Sequence, residues 1–420
     1  MRLLYPFLFL LLMYACKPVE PVTLTTLDGL PRLTEAEDYE KPCSYNENNA
    51  PDEYTDQKII KVNVHFIDNP EQNHTWALEE GKKYMKKVIN DANKRLGNNA
   101  KMNLPVGNET AVLDPGFRYK VIGVEPGDDG YYYHIDSTDY YFINKGRKKN
   151  NYSKAVIEKH GISTDTILNI FVISHPQDSL DSKNYKTFGT GIALGTSLKI
   201  TGLYSNRDKP AWSWATLLNH EIGHVLGLAH AWTKYDGCDD TPIHPNCWDA
   251  KSKRGSTGKP CGESYSNNVM DYNNSQMAYS PCQLGKIHKG FNTPGFKVRK
   301  LLYDRWCDYV PDDPIVIRSA VEWKGSRDLN RDIIIENGGR LDLHCRLAMA
   351  AGSTLTIKKG AQLHMHTGSR IENSCEEAWK GIVIEDPKNM AEMIKVYGIN
   401  AKIQDVNVPR ERKVIDLNKL

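Results

Sequence analysis

Leu218 to His230 reads LNHEIGHVLGLAH and sets three histidines and one glutamate in an otherwise apolar stretch. In a helix His220 and His224 stand one turn apart, so both imidazoles leave the same face and can meet one tetrahedral ion. Glu221 is turned about 100° from His220 and can reach a water on that ion without taking a ligand position. Gly227 accepts positive φ at little cost, which ends the helix and lets His230 come back with a third nitrogen. Three neutral nitrogens plus one open position describe a hydrolytic rather than a structural zinc site. In such a site Glu221 takes a proton from the water and passes it to a leaving amine. HEIGH alone is ambiguous, because amphipathic helices commonly bury a histidine and expose a glutamate. Gly227 and His230 add two positions at defined spacing and decide for zinc.

HEIGHVLGLAH resembles the metzincin signature HExxHxxGxxH, and Asn268-Val269-Met270-Asp271-Tyr272 resembles the Met-turn of that group. The NxMDY form, with Asp240-Thr241-Pro242 before it and Tyr279-Ser280-Pro281-Cys282-Gln283 after it, is most similar to the pappalysin (cytophagalysin-type) metalloendopeptidases. The resemblance implies an α/β (α+β) metzincin-like catalytic domain with a mixed twisted sheet and an active-site helix. It makes His220, His224 and His230 zinc ligands, Glu221 the general base and Met270 the apolar floor beneath the metal. Tyr272 would swing toward the oxyanion, which agrees with what a phenol donor near a metal can do; a core tyrosine bonded to backbone is the other reading. The resemblance also implies disulfides Cys238–Cys261 and Cys247–Cys282, and a calcium site near Asp-Thr-Pro. Asp236, Asp239 and Asp240 could supply hard oxygen ligands to that ion. The loop from His230 to Asp240 is short for this, and a solvated acidic turn is the alternative.

These residues need a scaffold. Ile60, Val62, Val64 and Phe66 alternate with Lys61, Asn63 and His65, the pattern of a half-buried strand. Thr75 to Leu96 places Leu78, Met85, Val88, Ala92 and Leu96 near one helical face, with Gly97 as its stop. Further strands are expected at Phe117 to Val124, Ile167 to Ile173 and Gly191 to Ile200, and the last is expected to be the edge strand along which an extended substrate adds a strand. A Tyr-, Lys- and Asn-rich stretch, 127–153, reads as a surface excursion. Ser280, Pro281 and Gln283 form a capping-box start for a helix that closes the lower half of the domain. From about residue 315, short apolar runs recur at intervals of roughly ten residues, separated by Gly338-Gly339, Gly352, Gly360 and Gly368, as in a small β-solenoid or a β-sandwich. Pro311-Asp312-Asp313-Pro314 reads as the linker.

The chain thus divides into a signal peptide at 1–15, a lipid-anchored tether or short pro-segment at 16–55, a zinc metallopeptidase domain at 56–310 and a β-rich accessory domain at 315–420. The 420 residues are 40% hydrophobic, enough for a large core, and 54 basic against 52 acidic side chains leave a formal charge of +2. That balance gives no field for a polyanion and excludes nucleic acid as an implied partner. Arg2 followed by an apolar run from Leu3 to Met13 is a secretory signal, too short for an anchor. Ala15-Cys16 resembles the cleavage box of bacterial lipoproteins, which implies a lipid on Cys16 and an outer-membrane or cell-surface location; a plain signal peptide and a secreted protein are the alternative. Nine cysteines become eight without Cys16, an even number that suits an oxidising compartment. Cys345 and Cys375 are expected to pair with each other, and Cys43 either pairs, with Cys307 as the candidate, or sits on zinc as a latency thiolate. His364 and His366 share a strand face but have no third ligand near them.

Two functions follow. One is a secreted zinc endopeptidase acting on protein or peptide substrates. The other is a surface binding protein whose β-domain recognises glycan or protein beside an inactive peptidase part.

Overall fold

The computed structural model describes residues 20–407 except positions 38, 145, 177, 178, 180, 182–189, 250, 252, 253, 274 and 374. The signal segment and Cys16 lie outside the described residues. The described chain opens with two short strands, β1 (Val22–Leu24) and β2 (Arg32–Leu33), whose partners come from the far end of the sequence. The mixed sheet begins at β3 (Lys58–Asp68), its spine. β4 (Phe117–Val121) pairs with the first half of β3 and β5 (Tyr131–Ile135) with the second, while β6 (Leu168–Val172) runs along the other side, all parallel.

The expected strand Gly191 to Ile200 is a hairpin instead. Gly195, at φ +75°, turns the chain between β7 (Thr190–Leu194) and β8 (Ser197–Thr201). β8 is interior and parallel to β6, and β7 is the antiparallel edge. A left-handed residue is what a tight turn requires, and glycine supplies it without a Cβ penalty.

Ile60, Val62, Val64 and Phe66 share one core with Met85, Val88, Ala92 and Leu96 of helix α1 (Leu78–Leu96). Gly81 lets this helix down onto the sheet, since a Cβ there would lie 2.7 Å from the Phe66 ring. The other face of β3 is buried as well, contrary to the half-buried expectation. The excursion folds back over it with β5 and helix α2 (Ala155–His160), and Phe142 and Val156 form a second core there with Ile67, Phe171 and Ile173. Asn63 and His65 are tolerated on this face because each is hydrogen-bonded: Asn63 donates to the Ile162 carbonyl, and His65 is bonded through its two ring nitrogens to His134 and Asn63. Helix α3 (Trp212–Val225) lies beside α1, with Asn219 donating to the Ala92 carbonyl. Helices α4 (Pro281–Phe291) and α5 (Lys297–Lys300) complete the lower half, and the capping box at Ser280 and Gln283 is formed.

The C-terminal part is a three-faced parallel β-solenoid. Its first face is β9 (Val310–Ile317), β12 (Arg331–Ile335), β15 (Leu355–Ile357) and β18 (Ile382–Ile384). The second is β10 (Ala320–Trp323), β13 (Arg340–Leu343), β16 (Gln362–Met365) and β19 (Ile394–Tyr397). The third is β11 (Arg327–Leu329), β14 (Arg346–Met349), β17 (Arg370–Asn373) and β20 (Lys402–Ile403). Pairing in register stacks Ile315, Ile333, Leu355 and Ile382 in one buried column, and Trp323, Leu343, Met365 and Val396 in another. Each such side chain contributes about 1.5–3 kcal/mol by leaving water.

Two boundary expectations are corrected. Pro311 to Pro314, read as a linker, lie within β9, the first three of them exposed. The described part of the segment read as a tether or pro-segment packs on the solenoid: β1 adds antiparallel to β18 and β2 adds parallel to β19, so the start of the described chain closes the last coil. A final coil would otherwise offer unpaired backbone groups, and these two strands cover them on the first and second faces.

The disulfide expectations are corrected too. The bonds are Cys43–Cys345, Cys238–Cys282, Cys247–Cys261 and Cys307–Cys375. Cys238 joins Cys282, not Cys261, because Asp240 accepts from Ser280 Oγ at 2.7 Å and from the Cys282 backbone N–H at 2.9 Å, docking its turn on the start of α4. Cys247 and Cys261 then close a local loop. Cys345 and Cys375 do not pair with each other. Each ties the solenoid to a different segment outside it, and Cys43 is therefore no thiolate on a metal.

Candidate active site

The sequence of α3 has one interruption, Gly223, and it decides how the floor is built. A Cβ at Gly223 would lie 2.5 Å from Met270 Sδ, so only glycine lets the fully buried methionine pass beneath the helix. Asn268 holds that turn, accepting from the Met270 N–H at 2.8 Å and donating to Gln283 Oε1 at 2.8 Å. The capping box of α4 is thereby tied to the loop under the site. Asp271 is buried and accepts from Ser266 Oγ and from His244 Nε2, the latter at 2.9 Å.

Above this floor the three histidines converge. His224 Nε2 lies 3.1 Å from His220 Nε2 and 3.2 Å from His230 Nε2. His220 donates from Nδ1 to the Val269 carbonyl at 2.7 Å, and His224 donates from Nδ1 to the Leu228 carbonyl at 2.9 Å. Each bond fixes the tautomer that leaves an Nε2 lone pair facing inward. The Leu228 carbonyl reaches His224 because Gly227, at φ +95°, reverses the chain where the helix ends. Burial first, and then the neighbouring imidazoles, push His220 down to about 3 and His230 to about 4. Burial lowers His224 as well, so all three imidazoles are neutral at neutral pH. Facing lone pairs repel one another, whereas a cation among them is attracted by all three, so the donor set fits a metal such as zinc.

Glu221 lies beside them, buried, with its carboxyl pushed up to about 8 by burial and held back by the Ala193 N–H. A dication next to it would lower that value again. Gly191 of β7 makes room for this carboxylate, since a Cβ at Gly191 would overlap the Glu221 side chain. Tyr272 is 55% exposed at the rim, its ring 5.5 Å from that of His220 and 4.8 Å from that of His230. A cavity of about 530 Å³ opens from His220, Glu221 and Tyr272 along α3, between Gly191 on one side and Asn273 and Gln276 on the other. Trp214 and Leu217 give it apolar wall, and Lys209 also lines it.

Gly191, Gly223 and Gln276 were not singled out for the site by sequence. A glycine inside a helix and another inside an edge strand were the available signals, because such residues commonly mark a close approach. Gln276 offered none. It donates from Nε2 to the Val269 and Asp271 carbonyls, which only the folded Met-turn brings together.

The three candidate calcium ligands are not brought to one point among the described residues. Asp236 accepts from Thr241 and from the Cys238 N–H, Asp240 caps α4, and Asp239 is exposed. Lys286 Nζ donates to the Asp236 carbonyl at 2.8 Å and brings a cation of the chain itself to this turn. His364 and His366 both bond Asp342, on the second face of the solenoid.

Residues 183–292 match the family model of peptidase family M43, described as pregnancy-associated plasma protein-A. No curated protein matches the chain. Among solved structures, mature mirolysin from Tannerella forsythia in complex with a cleaved peptide is 18% identical, matched over 60% of this chain and 96% of that one with a TM-score of 0.41. A promirolysin mutant from the same organism is 16% identical over 61% of this chain and 87% of its own, also at 0.41.

Proposed function

We propose that the protein is a pappalysin-type zinc endopeptidase with Glu221 as its general base, a reading supported by the match of residues 183–292 to the peptidase family M43 model. The observation that carries this reading is the convergence of three Nε2 atoms beside a buried carboxylate. Zinc held by His220, His224 and His230 would supply a Lewis acid that acidifies water and polarises the scissile carbonyl. Glu221 accepts the proton of the attacking water and returns it to the leaving amine. The peptide lies extended against β7, adding a strand to the sheet edge, and the side chain after the cleaved bond enters the cavity walled by Trp214 and Leu217. Tyr272 donates its hydroxyl hydrogen to the carbonyl oxygen as charge develops there. Met270 acts through packing alone.

The reading gives Asp236 and Asp240 structural work, since their oxygens already accept from neighbours, and assigns no calcium to them. Four disulfides among the described residues support an oxidising, extracytoplasmic compartment. No helix among the described residues is long and apolar enough to cross a membrane. A lipid on Cys16 at an outer membrane or cell surface is part of the proposal.

The test uses the full chain with an unfolded protein as substrate, beside a metal analysis of the same sample. We expect one zinc per chain and cleavage that Glu221→Ala abolishes while zinc is retained. Cleavage surviving in that variant would overturn the mechanism, and an inactive wild type with zinc bound would favour the binding-protein alternative.

A further inference from the structure

We propose that Trp232 is a positioning residue that orients the third ligand, His230, by stacking on it and holds Tyr272 against the same ring. The inference rests on the zinc-peptidase reading. His220 and His224 are each oriented by an Nδ1–H donated to a backbone carbonyl. His230 makes no such bond among the described residues. Its imidazole lies face to face with the Trp232 indole instead, with centroids 4.1 Å apart and planes 12° from parallel. The backbone turn that presents this ring is closed by Thr233, whose N–H and hydroxyl both donate to the His230 carbonyl. The carbonyl is thus fixed by hydrogen bonds and the ring by an aromatic surface.

The same indole meets Tyr272 at 4.9 Å and 63°, while Tyr272 meets His230 at 4.8 Å and 75°. Three rings in mutual contact, one of them a ligand and one an oxyanion donor, define each other's orientation. Trp248 closes the group, 5.1 Å from Trp232 and 5.2 Å from Tyr272, and stands on the loop joined by Cys247–Cys261. The edge-to-face and tilted contacts among Tyr272, Trp232, Trp248 and His230 attract through complementary quadrupoles. A second effect favours the loaded site. An imidazole that donates its lone pair to a dication becomes electron-poor, and an indole face is the best aromatic surface for such a ring. Trp232 therefore contributes what a carbonyl contributes to the other two ligands: a fixed ring and a better-stabilised ligated form.

The test compares the zinc-loaded full chain with Trp232→Leu, which keeps apolar volume without a ring, and Trp232→Phe, which restores a stacking face. Trp232→Met serves as a second variant without a ring. Zinc release to a chromogenic chelator, kcat and KM on one peptide, and melting are recorded for each. We expect Leu and Met to release zinc about 10- to 100-fold faster, the loss typical of removing a group that supports a ligand. In both, kcat should fall with KM nearly unchanged, and Phe should restore both to within a few-fold. Wild-type zinc release in Leu and Met would overturn the proposal, as would a folded Phe variant no better than Leu. Neither result touches the zinc-peptidase reading, which is tested separately by the zinc content and activity of the wild-type chain and by Glu221→Ala.

Discussion

At the cleft, three imidazoles turn bare Nε2 atoms toward one another beside Glu221, whose carboxylate is met by one backbone N–H and by no lysine or arginine among the described residues. At the seam between the mixed sheet and the solenoid, Asp328 is buried as deeply, yet it is ringed by cations. Arg346 Nη2 lies 2.9 Å from Asp328 Oδ1, Arg299 bonds both its oxygens, and Lys58 Nζ donates to its backbone carbonyl. The guanidiniums of Arg346 and Arg299 outweigh burial and hold Asp328 below the usual carboxylate range, whereas Glu221, lacking such partners, is pushed above it. Burial with the charge compensated makes a joint. Burial with the charge left to an external cation makes a site.

The comparison can be broken from the seam. Removing the carboxylate in Asp328→Ala leaves Arg346 and Arg299 buried without their shared partner, while Lys58 keeps its bond to the backbone carbonyl. We expect a loss of about 3–5 kcal/mol of stability, the range for breaking a buried pair, read as a lower urea midpoint, with kcat per folded molecule retained. Glu221→Ala should do the reverse, abolishing turnover with the midpoint unchanged or raised. An Asp328→Ala chain that unfolds at the wild-type midpoint would mean that the seam contributes no net energy. The seam also bears on how the solenoid serves the peptidase. It is not a module on a flexible linker but a body joined by buried ions, and two disulfides tie it to segments outside its coils.

A smaller effect should come from the floor. Gly223→Ala puts a methyl group where Met270 Sδ already lies. Overpacking of this kind costs about 1–3 kcal/mol, and here it would also displace the turn that carries Tyr272. We expect a modest drop in melting temperature with a larger drop in kcat than Trp214→Phe gives in the cavity wall. Equal kcat losses would remove the special place given to Gly223.

How much of this was legible in the sequence follows from the range of the forces involved. His220 and His224 are local to one helix, and Gly227 and His230 to its end, so spacing alone located the three histidines that converge. The recurring short strands of the C-terminal part were visible, as a solenoid or a sandwich, because glycines such as Gly338 at φ +81° punctuate them. The cap formed by β1 and β2 was not visible. A strand of two or three residues has no local pattern, and its stability comes from β18 and β19 at the other end of the chain. Cysteine partners failed for the same reason: Cys43 and Cys345 are 302 residues apart in sequence and meet only because the solenoid folds. The polar face of β3 misled as well, since Asn63 and His65 read as solvent-facing until their hydrogen-bond partners are known.

The gentlest test of the comparison lies on the second face of the solenoid, where ion pairs are neither at the cleft nor at the seam. His366 lies 3.1 Å from Glu35 through Nδ1 and 3.4 Å from Asp342 through Nε2, and its ring stacks on His344 at 4.0 Å and on Tyr397 at 4.9 Å. Burial opposes a charge on this imidazole, but Asp342 and Glu35 outweigh it and hold His366 above its ordinary value. A group whose pKa is raised by folding stabilises the fold fully below its unfolded value, about 6.5, and loses that contribution as pH rises through the folded value. Glu35 also accepts from the Thr367 N–H, so the charge on His366 helps hold the segment after β2 against the solenoid. The melting advantage of the wild type over His366→Asn should therefore shrink as pH rises above about 6.5. Asp342 and Glu35 are both held below the usual carboxylate range and titrate on the acid side, so neither produces a trend there. An advantage that grows with pH would mean that the imidazole is held neutral in the fold, and the carboxylates around it would then be partners of a different kind from those at Asp328.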